Sequence, residues 1–223
     1  MNVVRRALAT VATGSAALAG MAVIGVTATA AQAATAVPTS LSITAPHQVT
    51  WGHTAKVTGD LTNTVTHKGL SGLTVLLRER RAGTTRWTVV GTARTSSTGS
   101  VSLSTFPLKR TEQVQLVHPK TATTRATTSA VKTIKVAYAV TAGLNKDTVT
   151  VTVAPSAVGQ AVQLQKLGKA GWATVQTGKL GAGSSAKFTI KPPKVKGSYS
   201  YRVVKPAASG FLQGTSAKLV LVV

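Results

Sequence analysis

The feature that most constrains the fold is an internal repeat. Arg86-Trp87-Thr88-Val89-Val90 has a counterpart in Gly171-Trp172-Ala173-Thr174-Val175. Ahead of these lie two apolar runs, Leu73-Thr74-Val75-Leu76-Leu77 and Ala161-Val162-Gln163-Leu164-Gln165. Behind them, Ser100-Val101-Ser102-Leu103-Ser104 answers Ala186-Lys187-Phe188-Thr189-Ile190. Next, Gln113-Val114-Gln115-Leu116-Val117-His118-Pro119 answers Tyr199-Ser200-Tyr201-Arg202-Val203-Val204-Lys205-Pro206. Last, Thr128-Ser129-Ala130-Val131-Lys132 answers Thr215-Ser216-Ala217-Lys218-Leu219. Order and spacing are kept throughout, so the chain holds two copies of one supersecondary unit.

Each copy reads as about seven short strands separated by turn residues. In the first they fall near 41–45, 54–61, 72–80, 86–94, 100–105, 112–118 and 128–137. In the second they fall near 138–143, 147–154, 160–167, 172–179, 185–191, 198–204 and 215–223. β-branched Val and Thr dominate, and no helical 3.6-residue period appears after residue 30. This predicts an all-β chain of two tandem β-sandwich domains, at 41–137 and, as a degenerate copy, 138–223, after a short segment at 34–40. The junction near Val136 and Tyr138 has no Gly/Ser linker, which predicts limited swing.

Strict alternation puts Leu73, Val75, Leu77, Trp87 and Val89 on an inward face, and Arg78, Arg80, Arg86, Thr88 and Arg94 outward. Trp87 and Trp172 are accordingly expected in the cores, with Trp51 the exposed tryptophan. Tyr199 and Tyr201 are expected to hydrogen-bond at a sandwich corner.

Residues 1–33 read as a signal peptide. Arg5 and Arg6 precede an uncharged Ala/Thr/Gly/Val run, and Ala31-Gln32-Ala33 supplies a small-x-small cleavage pattern. The run is too weakly apolar for a good membrane anchor, so the mature chain is expected to start at Ala34 and to be secreted without a transmembrane segment. Arg5-Arg6 fits twin-arginine as well as general export.

Val57-Thr58-Gly59-Asp60-Leu61, then Gly69-Leu70-Ser71-Gly72-Leu73-Thr74-Val75, then Trp87, then Thr98-Gly99 resembles the bacterial Ig-like repeats of actinobacterial secreted and surface proteins. The resemblance covers about 39–137 and, more loosely, 138–223. It implies Ig-like or fibronectin-like sandwiches and a role as spacer, adhesive module or accessory domain, with no common reaction. The family's turn aspartate is absent, with Ser96 and Ser97 in its place, and the second copy lacks the V-x-G-x-L glycine.

A search for reactive constellations yields no catalytic site, cofactor site or metal site. Asp60, Glu79 and Glu112 could meet across a sheet, but sit among Lys and Arg and read as charge balance. His47, His53, His67 and His118 form no ligand pair. Ser129-Ala130-Val131-Lys132 and Ser184-Ser185-Ala186-Lys187 spell S-x-x-K, but on strands or turns, where the side chains are wrongly spaced. With no Cys, disulfides and thiolate metal sites are excluded.

Charge carries the functional signal. Twenty-six Lys+Arg stand against four acids; those after residue 33 divide thirteen to eleven between the copies. A one-sided excess on both copies points to an anionic cell-wall polymer or acidic polysaccharide as partner. Nothing accompanies it for sequence-specific nucleic acid recognition. The expected contacts are Arg78, Arg80, Arg86 and Arg94. The expectation is therefore a non-enzymatic secreted protein that associates electrostatically with the envelope or an extracellular polyanion. The alternative is an adhesin- or inhibitor-like module that recognises a protein through loops or a sheet face.

Overall fold

The structure is a computed structural model that describes residues 35–223. The signal segment at 1–33 and the expected start at Ala34 lie outside the described residues.

The first repeat is two facing sheets. One has strand order β1 (Thr39–Leu41), β3 (Lys56–Asn63), β6 (Ser100–Ser104). The other runs β2 (Gln48–Thr50), β9 (Lys132–Ala137), β7 (Glu112–His118), β4 (Thr74–Arg81), β5 (Thr88–Arg94), with β8 (Thr127–Thr128) also paired to β7. Val57, Leu61 and Val101 from one sheet meet Val75, Leu77, Val114, Leu116 and Ile134 from the other, all buried. Burying two inner faces against each other is what makes alternating strands stable here without a staple.

The second repeat copies this plan. One sheet is β10 (Ala139–Asn145), β11 (Thr148–Ala154), β14 (Ser185–Thr189). The other is β13 (Gly171–Lys179), β12 (Ala161–Gly168), β15 (Ser198–Lys205), with β16 (Gly214–Thr215) and β17 (Leu219–Val222) both paired to β15. Its core joins Val149, Val151 and Phe188 to Val162, Leu164, Tyr201 and Val203. The described residues are thus all-β, two Ig-like sandwiches in tandem.

The Ser-Ala match of the two copies has a physical cause. In both, the last strand breaks at a buried serine that stands in for a backbone group. Ser129 Oγ accepts the Leu116 amide at 3.0 Å and donates to the Ala130 carbonyl at 2.9 Å. Ser216 Oγ accepts the Val203 amide at 2.9 Å and donates to the Ala217 carbonyl at 2.8 Å. Without these hydroxyls a buried amide in each sheet would lose a partner.

The copies differ at their entry. In the second, β10 turns directly into β11 through Lys146 and Asp147. In the first, the chain leaves β1, crosses to the opposite sheet and adds β2 parallel to β9. β2 is three residues long and its place depends on β9, so local periodicity does not announce it. Trp51 follows β2 and packs against the first core, contrary to its expected exposure. Gly59 of the V-x-G-x-L motif allows the crossing, since a Cβ there would stand 2.3 Å from the Ser42 carbonyl.

One residue, Tyr138, separates β9 from β10. Its ring lies 5.1 Å from that of Phe211, and its hydroxyl donates to the Ala208 carbonyl at 3.1 Å. Phe211 packs against both cores, and Leu212 bonds backbone to backbone with Val136 and Tyr138. Thr35–Val223 accordingly forms one compact unit.

Candidate functional site

The outer face of β4, β5 and β7 is set by a β-bulge. Leu77 pairs with Gly91, but Arg78 pairs with Val89, so Val90 is the extra residue. A bulge reverses the facing of everything beyond it. Trp87 and Val89 therefore share the outer face with Arg78 and Arg80, and Trp87 is not a core residue. Thr88 and Arg86 turn the other way. Arg94, on the other side of the bulge from Trp87 and paired with Thr74, lies on the outer face as the alternation expects. Of the four arginines expected together, Arg78, Arg80 and Arg94 share a face. Arg86 turns away from that face and lines a cleft with Glu79, Arg110 and Phe106, which Arg80 also borders.

The second repeat has the same bulge. Leu164 pairs with Gln176 and Gln165 with Thr174, leaving Val175 over, and Trp172 likewise lies on the outer face. The shared W-x-x-V pattern thus records a bulge position. Alternation of period two could not reveal this, because one inserted residue inverts the reading.

Each outward tryptophan carries stacked guanidinium. Arg80 lies 4.5 Å and Arg78 5.0 Å from the Trp87 ring. Arg202 lies 4.4 Å from the Trp172 ring. Neighbouring glutamines fix the planes. Arg78 donates through Nε and Nη2 to Gln115 Oε1 at 3.1 and 2.6 Å, and Arg80 Nε donates to Gln113 Oε1 at 2.7 Å. Arg202 Nε donates to Gln165 Oε1 at 2.8 Å. Arg94 is held by a 2.8 Å bond to the Gly72 carbonyl. Such held guanidinium groups have less rotamer freedom to lose on contact with an anion.

The acids do little to neutralise this charge. Among the described residues one ion pair forms, Arg110 Nε to Glu112 Oε1 at 3.5 Å. Asp60, expected to balance cations, instead accepts the hydroxyls of Ser100 and Ser42 at 2.6 and 3.4 Å. Glu79 sits on the inner face of β4 with Oε1 buried and unbonded. Burial, with Glu112 nearby, pushes its carboxyl up to about 7. Glu112 is also raised by burial, against the pull of Arg110 and Arg81.

The other singled-out residues have structural partners. Ser184 Oγ accepts the Ala157 amide at 2.8 Å, so the serine of each S-x-x-K sequence is occupied by backbone. His118 is buried, with Nδ1 2.7 Å from the Thr74 carbonyl and Nε2 2.8 Å from Thr124 Oγ1. Its counterpart Lys205 is buried as well, its Nζ donating to the Pro206 carbonyl at 2.8 Å and lying 4.4 Å over the Tyr138 ring. Desolvation lowers the Lys205 pKa. The matched His-Pro and Lys-Pro pairs marked this site in the sequence, though not its burial. Tyr199 reaches back to the Val195 carbonyl at 2.9 Å, the expected corner bond, and Tyr201 lies in the core. Ser96 accepts the amides of Ser100 and Thr98 at 3.1 and 3.3 Å, which fixes this turn without an aspartate. No helix among the described residues is long and apolar enough to cross a membrane.

No protein-family profile and no curated protein matches the chain. Solved structures do. A tetra-tandem repeat from the extending region of a large adhesion protein is 15% identical, with TM-score 0.35 over 82% of this chain and 49% of that one. Salmonella alpha-2-macroglobulin reacted with methylamine is 7% identical, with TM-score 0.39 over 83% of this chain and 16% of that one. The chicken interferon gamma receptor alpha chain is 8% identical, with TM-score 0.45 over 84% and 99%. This chain spans about half the length of the adhesion-protein structure.

Proposed function

We propose that this chain is a secreted, non-enzymatic binding protein that associates with anionic polymers of the cell envelope or extracellular space. The carrying observation is the guanidinium layer on the outer sheet faces: Arg78 and Arg80 on Trp87, and Arg202 on Trp172, each held by a glutamine. A planar fork held in place suits phosphate or carboxylate oxygens, and water-facing cations release counterions when a polyanion replaces them. Arg94 extends the layer along β5. The anionic partner class is wall polymer of the teichoic type or acidic polysaccharide.

Fractionating a producing culture into medium, wall and membrane, then washing the wall with salt, tests this reading. The protein is expected in the wall fraction and released by the wash. Retention through high salt would favour the alternative, a module that grips a protein partner by shape.

A further inference from the structure

A second cationic feature lies where the two sandwiches meet. Arg81 at the end of β4, with Lys109 and Arg110 from the loop before β7, faces Ser209, Gly210 and Phe211 of the second sandwich across an open cleft. Among the described residues no acid lines this cleft. The nearest acid in sequence, Glu112, is paired with Arg110.

The second sandwich presents a donor-rich turn. Ala208 and Phe211 close a two-residue hairpin, with amide-to-carbonyl distances of 3.2 and 2.9 Å. Ser209 and Gly210 both sit in the left-handed region, with φ of 52° and 82°. In such a turn the two central amides point away from the hairpin ladder, and consecutive free amides form an anion-attracting concavity. Ser209 Oγ accepts Gln160 Nε2 at 3.3 Å, which leaves its own proton to donate. Left-handed Ser209 is a strained choice for a non-glycine residue.

We propose that this cleft is a phosphate-binding site that clamps the two sandwiches. One phosphate group takes charge-assisted bonds from Arg81, Lys109 and Arg110 and neutral bonds from the Ser209 hydroxyl and the turn amides. Phe211, which packs on both cores, forms the floor. The inference rests on the polyanion reading and adds a defined seat to it. Occupation of the seat ties the second sandwich's turn to the first sandwich's cations, so a bound phosphodiester chain stiffens the junction.

The test titrates the whole chain from residue 34 with a short glycerol-phosphate oligomer and follows backbone amide NMR shifts. Saturable shifts at Ser209 and Gly210 are expected. R81Q/K109Q should weaken oligomer binding about tenfold, since two charge-assisted bonds are lost. K187Q, which removes an exposed lysine of β14 away from the cleft, should stay within about twofold of the parent. Phosphatidylglycerol vesicles run in parallel separate a lipid headgroup from a soluble polymer as the phosphate source. Oligomer binding with unmoved Ser209 and Gly210 amides, or R81Q/K109Q binding as tightly as the parent, overturns the clamp and leaves the polyanion reading standing. A parent chain that binds no anionic polymer overturns both.

Discussion

The guanidinium of Arg202 lies 4.4 Å from the ring of Trp172 while its Nε donates to Gln165 on the neighbouring strand. The first sandwich makes the same contact with the partners exchanged. There the arginine, Arg78, is on β4 and the glutamine, Gln115, on β7; in the second the glutamine is on β12 and the arginine on β15. Both copies therefore keep an Arg–Gln pair over the outward tryptophan while leaving open which strand supplies which partner.

That exchange is testable as a swap. R202Q should lower the stability of the second sandwich by about 1 kcal/mol, through loss of the stacked cation and its bond. The double variant Q165R/R202Q rebuilds the arrangement of the first copy and should recover most of that loss. Thermal unfolding of the three chains decides it. A double variant less stable than R202Q would contradict the equivalence.

Glu79 predicts a pH dependence. Its carboxyl titrates near 7 in the folded chain, above its ordinary value of 4.5, because burial and Glu112 disfavour the charged form. Between those two values the folded chain holds a proton that the unfolded chain has released. Stability should therefore fall as pH rises through that window. E79Q should flatten the slope and leave the chain more stable at pH about 8 than the parent. Melting temperature against pH reads this directly, and an unchanged slope in E79Q would assign the effect to another group.

S129A and S216A should each destabilise their own sandwich by about 1–3 kcal/mol, the cost of leaving a buried amide without its acceptor. Denaturant unfolding measures the loss. Thr at either position keeps the hydroxyl and should cost less than Ala. A neutral S216A would mean that the Val203 amide finds another partner.

The tandem sandwich was legible because it depends on features that sequence carries locally: alternation in Val75 and Leu77, turn residues such as Gly99, and the matched order of two copies. The facing of Trp87 and Trp172 was not. It turns on Val90 and Val175 as extra residues, and a period-two reading assigns every side chain beyond a bulge to the wrong sheet face. The same inversion separated Arg86 from Arg78, Arg80 and Arg94. β2 and the inward packing of Trp51 depend on parallel pairing with β9, a partner more than eighty residues away. The junction cleft was hidden because its cations and its turn belong to different copies.

The central claim is that the outer guanidinium layer binds polyanion by releasing counterions. Affinity for a purified glycerol-phosphate wall polymer, measured across a range of salt, tests it most directly. The parent chain should lose affinity linearly in log–log terms as salt rises, and R78Q/R80Q/R94Q should bind more weakly with a shallower slope. R86Q, off that face, should change both less. A folded R78Q/R80Q/R94Q chain that binds with the parent's affinity and the parent's slope would contradict the account.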